Sequence, residues 1–472
     1  MTTADNALPE VDRLDAKTGS IVFLAFAAAY FCSALLRAIT ATLAPVLTQE
    51  FSLHARDLGL LAGGYFLGFA AVQLPLGSWL DRHGPKRVIL WFLGLAVVGC
   101  LAFSVASSFV CLLAARVLVG MGVSACLMAA LTGYRRWFDA PTLLRANSWM
   151  LMTGSLGMLA STLPVQWLMP LTGWRPLFWL LAALILLAMA AIAWVVPEWR
   201  VSESVTAPMD GERANERSEG PTRASSAASG GSAAREATGV GAYEVRRAGP
   251  PQASTAPSGG SVVREATGVG ASYGPVWRSR YFRKMAPLAF FNYGGMVAVQ
   301  TLWAGPWMVR VTGNSALQSA TGLFCINASM LLTFWGWGMV NPWLASKGWH
   351  ATRLIAWGLP LSLAALAFNI AAGSATGWPG WALFCVTSSV MGLAQPAVGM
   401  SFRASLAGRA LSAYNLVIFA GVFVAQWSLG LLIDGFAAMG LGQVGSFQAA
   451  MAVFLCCCIA AYGYFLGVKV DN

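Results

Sequence analysis

This chain is poor in charge and poorest in acid. Charged residues make up 10% of it, only 19 residues are Asp or Glu, and none occurs between Glu265 and Asp434. The first half likewise places no acid inside an apolar run. No nucleophile, base and acid therefore meet at the depth of the apolar runs, which argues against an enzyme. Histidine is almost missing too, with His54, His83 and His350 near run ends or in loops. The nine cysteines, from Cys32 to the Cys456-Cys457-Cys458 run, sit inside apolar runs and not at ligand spacing in polar loops. They read as small packing residues, so no metal, cofactor or disulfide is expected. Residues 1–19 mix Asp5, Glu10, Asp12 and Asp15 with Arg13 and Lys17, and no small-residue cleavage site follows the first apolar run. A cleavable signal is not expected.

What is abundant is apolar surface, at 57% of residues, far beyond what a soluble core can hide. Crossing a bilayer core of about 30 Å takes roughly 20 apolar residues as helix. Twelve such stretches fall six and six: near 21–46, 58–79, 88–107, 110–132, 147–169 and 175–196, then 285–309, 319–343, 353–373, 378–402, 410–433 and 446–468. The fold class is an all-α integral membrane protein. Its expected parts are a tail (1–19), a six-helix bundle (20–196), a linker (197–284), a second six-helix bundle (285–468) and a short tail (469–472). Of the 30 Lys and Arg, 25 fall in the tails and even-numbered loops; Arg56, Arg175 and Arg310 fall in odd-numbered loops, and Arg37 and Arg116 within stretches. The positive-inside rule then places both termini in the cytoplasm. The net charge of +11 is mostly a topology signal; no basic stripe alternates with aromatics, so no nucleic-acid partner is expected. The lipid bilayer is the expected surrounding.

The linker is rich in Ser, Gly, Ala and Pro, a disordered composition. It carries a duplication: SGGSAAREATGVGA from Ser229 and SGGSVVREATGVGA from Ser258. Two copies are too few for a solenoid. Expansion of a tolerant linker and a tandem partner-binding motif both remain open.

Between the second and third stretches lies Gly77-Ser-Trp-Leu-Asp81-Arg82-His-Gly84-Pro-Lys86-Arg87. Gly77 and Gly84 allow close backbone approach and a tight turn, while Asp81 can accept from Arg82, Lys86 or helix-terminal amides and latch neighbouring helices. The alternative is that these charges only anchor topology at the interface. The loop resembles the signature of the major facilitator superfamily, and the six plus six pattern is similar to it over nearly the whole chain outside the linker. That resemblance implies twelve transmembrane helices in two pseudosymmetric six-helix bundles, with a small-molecule substrate bound between them at mid-membrane. It also implies a multi-pass protein of the bacterial inner membrane acting as a monomer. Arg116, Gly120 and Gly122 match a fourth-span pattern of the family. The Gly-Pro-rich fifth-span motif of some exporters is reduced to Gly154, Gly157 and a distant Pro164. Lys86 stands where the family usually has Arg, and the second-half counterpart, Asn341 to Gly348, contains no acid.

Arg37 lies well inside the first stretch, where a charge costs about 2.5 to 3.5 kcal/mol on insertion scales. Tyr30, Ser33 and Arg37 share a helical face at i, i+3 and i+7. This arrangement resembles first spans of superfamily members that move organic phosphates or carboxylates, including a proline eight residues on, here Pro45. With no acid to pair Arg37, an anionic ligand would supply the countercharge. The competing reading is that Arg37 bonds backbone carbonyls or water and only packs. For Arg116, helix-to-helix bonding and a cavity role stay open. The fold implied by the resemblance places the opposing wall in stretches seven and ten, at Asn292, Tyr293, Gln300 and Trp303, and at Gln395, which shares a face with Ser388. The resemblance implies a second arginine at the centre of stretch seven in members that exchange organic phosphates; none stands there, which disfavours a phosphate dianion and points to a monocarboxylate-like or amphipathic anion. The expected function is secondary active transport of a small organic anion by alternating access. The alternatives are efflux of multiple drugs or hydrophobic compounds on the same fold, and a non-transporting membrane sensor.

Overall fold

The computed structural model describes residues 14–198 and 273–468, and all regular structure there is helical. Both copies of the duplication and most of the predicted linker lie outside the described residues. The first half runs through α1 (Ala16–Phe51), α2 (Ala55–Ala71), α3 (Gln73–Ser104), α4 (Phe109–Val123), α5 (Ala125–Trp137), α6 (Ala140–Ala160), α7 (Leu163–Thr172) and α8 (Trp174–Val195). The second comprises α9 (Gly274–Arg278), α10 (Arg280–Pro287), α11 (Gly294–Ala298), α12 (Ala304–Arg310), α13 (Ala316–Ser346), α14 (Ala351–Ala372), α15 (Trp378–Ser388), α16 (Ala394–Met400), α17 (Ala404–Ala438) and α18 (Gln443–Gly467).

Nine helical stretches among the described residues are long and apolar enough to cross a membrane. α1 is the longest, and at about 1.5 Å per residue it outreaches a bilayer core. Asp15 caps it, accepting from the Thr18 amide at 3.2 Å. The Thr18 hydroxyl and amide hold the Asp15 carboxyl below the usual carboxylate range. The second, fourth, fifth, seventh and tenth predicted stretches are helical but interrupted, the fourth at Ser124 and the tenth by a 3-10 turn at Ser389–Leu393. The second is divided between α2 and the start of α3 at Val72. In the fifth, Pro164 opens α7 just after a break at Thr162, as expected where a proline cannot continue a hydrogen-bond ladder. The seventh alternates α-helix with π-helix over Leu288–Tyr293 and Val299–Trp303. Residues 274–284, which composition assigns to the linker, are helical in α9 and α10 and tied down. The hydroxyl of neighbouring Tyr273 donates to the Leu74 carbonyl at 3.2 Å, and Lys284 Nζ donates to the Val468 carbonyl at 2.8 Å.

Small residues let the helices approach closely, the usual solution where lipid offers no hydrophobic drive between helices. A Cβ at Gly120 of α4 would run into the Tyr65 carbonyl of α2. Large apolar side chains remain on the outside, Trp194 at 88% and Leu171 at 82% exposure, a surface suited to lipid and not to water. Near the ends of α1 and α8, Glu50 accepts from Trp174 Nε1 at 2.7 Å and Arg175 Nη1 at 2.6 Å, so its charge is matched within the first half. Cys32, Cys100, Cys126, Cys385 and Cys458 are buried as packing residues, whereas Cys111 and Cys456 face outward.

Candidate functional site

Arg37 emerges midway along α1, half-buried, and its Nε is buried without a hydrogen-bond partner. Its guanidinium carbon lies 5.9 Å from the ring centroids of both Phe69 in α2 and Phe419 in α17. Tyr30, Tyr65 and Tyr293 stand within electrostatic reach. The site thus draws on α1 and α2 from the first half, and on Tyr293 and Phe419 from the second. Phe69 and Phe419 touch across the two halves, with centroids 4.3 Å apart, and Phe66 stacks on Phe419 at 6.1 Å. Arg37 has aromatic rings for neighbours where an ion pair would need a carboxylate. Cation–π contacts of this kind contribute about 0.5 to 2 kcal/mol, less than the several kcal/mol that removing an ion from water costs.

The other first-half candidates divide. Tyr30 is buried against Gly154 beside Arg37. Ser33 turns its hydroxyl to the Val123 carbonyl at 3.5 Å, while its own carbonyl accepts from the Tyr65 hydroxyl at 3.2 Å. Arg116 is wholly buried, and its Nη1 donates to the Leu36 carbonyl at 3.0 Å, joining α4 to α1. Its guanidinium also lies 5.3 Å from the Tyr65 ring, and its Nε and Nη2 find no partner. Tyr65 therefore sits between two arginines.

In the second half the predicted wall is only partly assembled. Tyr293 reaches the neighbourhood of Arg37 and Tyr30. Gln300 Nε2 instead donates to Asn327 Oδ1 at 3.0 Å, Trp303 Nε1 to the Gln426 carbonyl at 3.2 Å, and Asn292 Nδ2 to the Cys458 carbonyl at 3.5 Å. Gln395 Nε2 donates to Asn415 Oδ1 at 2.8 Å, and Ser388 pairs with Ser362. In an unbroken α-helix Tyr293 and Gln300, at i and i+7, would share a face. The π-turns change the angle between them, and a 3-10 turn at Ser389–Leu393 does the same for Ser388 and Gln395. Tyr65, Phe69 and Phe419 also border Arg37, and polarity along the chain does not mark them. Tyr65 and Phe69 at i and i+4 were a visible aromatic stripe, but nothing local marked Phe419 as their partner.

The charged loop also differs from expectation. Gly84 makes the turn with φ 75°, a backbone region open to glycine, whereas a Cβ at Gly77 would meet nothing within 4 Å. Close approach is thus not why glycine stands at Gly77. Lys86 Nζ pairs with Glu198 at 3.1 Å and Arg87 Nε with the same carboxylate at 3.7 Å. Arg82 and Asp81 are exposed, and Asp81 makes no ion pair or side-chain hydrogen bond among the described residues. At the opposite end of the run from α2 into α3, Asp434 of α17 accepts from the backbone amides of Ala55 at 3.1 Å and Arg56 at 2.9 Å.

The sequence matches the Major Facilitator Superfamily over residues 26–426. The chain belongs to that superfamily. With its family and its apolar helices it is a multi-pass membrane protein. Superfamily relatives divide in their cargo. The chain is 30% identical over 222 residues to a 4-hydroxybenzoate transporter of Pseudomonas aeruginosa, covering 45% of this chain and 48% of that one. It is 34% identical over 111 residues to an efflux pump of Aspergillus parasiticus, covering 24% of this chain and 21% of the pump. The chain spans half or less of the length of these relatives. In fold it is similar to a bacterial homologue of the human lysosomal transporter Spinster in an inward-facing, unoccupied conformation. The two have a TM-score of 0.66 and 18% identity, over 96% of this chain and 97% of the other.

Proposed function

We propose that this superfamily member is a secondary transporter that carries a small organic anion by alternating access, with Arg37 holding the anion. The observation that carries the reading is Arg37 itself: a half-buried guanidinium with an unpartnered Nε, ringed by aromatics and close to a second arginine that also keeps unpartnered nitrogens. A carboxylate arriving there accepts charge-assisted hydrogen bonds from Arg37 and is the anionic acceptor that no acidic side chain offers it among the described residues. Phe69, Phe419, Tyr30 and Tyr293 suit the organic part of a monocarboxylate, and the relative named for 4-hydroxybenzoate supports an aromatic one. Arg116 serves mainly as the clamp from α4 to α1. Both termini face the cytoplasm, the monomer is the working unit, and the loop from Gly77 to Arg87 gates the cytoplasmic side.

The test is binding and exchange with purified full-length protein. Benzoate-type monocarboxylates should raise its thermal midpoint and exchange across vesicle membranes, and Arg37→Gln should remove both effects. Unchanged exchange in Arg37→Gln would sink the assignment. The aromatic surroundings and the efflux-pump relative support a second reading, export of hydrophobic compounds. There Arg37→Gln leaves drug tolerance of the host intact, whereas deleting the protein lowers it.

A further inference from the structure

The acid at position 434 is in the wrong place for its own helix. Asp434 stands in the last turns of α17, which ends at Ala438, where the helix macrodipole disfavours negative charge. It is also the only acid from residue 266 through residue 470. What it touches explains it. The first four amides of a helix lack intrahelical partners. At the start of α2, Asp57 and Leu58 give theirs to the His54 carbonyl, each at 3.1 Å. Ala55 and Arg56 give theirs to the two carboxylate oxygens of Asp434, one each. A side chain of the second half thus completes the N-terminus of a first-half helix, and the α2 dipole favours the charge that the α17 dipole disfavours.

The contact closes one end of a seam. Beyond it, a Cβ at Gly430 would strike the Ala55 carbonyl and one at Gly59 the Gln426 carbonyl, so the backbones touch with no side chain between them. Further along, Phe66 and Phe69 meet Phe419 beside Arg37. The charged groups around Asp434 are committed elsewhere or stand apart: His54 Nδ1 and Arg56 Nε lie 3.4 and 3.7 Å from Asp57. A cavity of about 320 Å³ opens at this end, lined from both halves by His54, Ala55, Arg310, Asp434 and Gln443, so water reaches the carboxylate. With water at hand, both partners have an alternative when the bonds break.

We propose that Asp434 is a releasable latch between the two halves, holding the Ala55 end of the α2–α17 seam shut while engaged and letting it part when released. The inference does not depend on the cargo. Hydrogen–deuterium exchange of full-length protein in lipid nanodiscs, with no ligand added, tests it separately from the anion assignment. Asp434→Ala should speed exchange by about tenfold on both sides of the seam, residues 55–63 and 423–434, the scale of losing charge-assisted bonds. Gly59→Ala, which leaves Asp434 in place but wedges the backbones, should give the same two-sided pattern. A rise confined to residues 55–58 in Asp434→Ala would reduce the carboxylate to a helix cap and overturn the proposal. So would unchanged exchange at 423–434 in both variants.

Discussion

Two acids lie toward opposite ends of the same paired helices and meet opposite circumstances. Near the Ala55 end Asp434 is half-buried and takes two backbone amides from the other half of the chain. At the far end Asp81 is exposed, in a charge-dense turn of α3 just before Gly84, and its neighbours Lys86 and Arg87 turn to Glu198. In the segment with the recognisable spacing it is the acid that stands unpartnered while the bases are paired, and the acid with no motif around it bridges the halves. An alternating mechanism needs two discrete arrangements of the same contacts, with one end joined while the other is free. The ends differ in their acids and not in whether they are joined, since the Tyr273 hydroxyl donates to the Leu74 carbonyl at the far end.

The sharpest way to break this picture is at the site between the ends. Arg37→Gln should weaken binding of a benzoate-type anion by about a hundredfold, the scale of losing paired charge-assisted bonds, by calorimetry on purified protein. Thermal stability should stay level or rise, since an unpaired charge is removed. The next effect tests the comparison directly. Asp434→Ala should cost about 1 to 2 kcal/mol in unfolding by denaturant, the range for a lost N-cap, because two α2 amides lose their acceptor. Asp81→Ala should change the same measurement by no more than about 0.5 kcal/mol, as at other exposed sites without partners. Equal losses for the two acids would erase the distinction. Similarly small is Glu198→Gln, worth about 0 to 1 kcal/mol for an exposed carboxylate paired with a mostly covered Lys86, and that loss should shrink in high salt.

How far the sequence could be read depended on the range of the interaction. Membrane helices were legible because crossing lipid demands long apolar runs, and the nine apolar helices fall on predicted stretches. The interruptions were less so: Pro164 signalled the break before α7, but no residue announced π-turns at Leu288–Tyr293. Arg37 stood out as a charge where charge is costly, and Tyr30 and Tyr293 were named with it. Gln300, Trp303 and Gln395 were plausible by polarity and register, yet bond neighbouring helices, since a buried amide is satisfied by whatever acceptor the packing brings near.

What the sequence determined by itself is therefore the solvent and the burden: apolar runs that require a bilayer, basic residues that set an expected orientation, and an arginine with no acid to answer it. Tertiary structure alone decided who meets whom. Phe419 reaches Arg37 and Asp434 reaches Ala55 across more than 370 residues, as the separation of 379 positions in the latter pair shows. Such pairings leave no periodic trace, because they arise from how two helices slide and cross and not from any spacing along one chain.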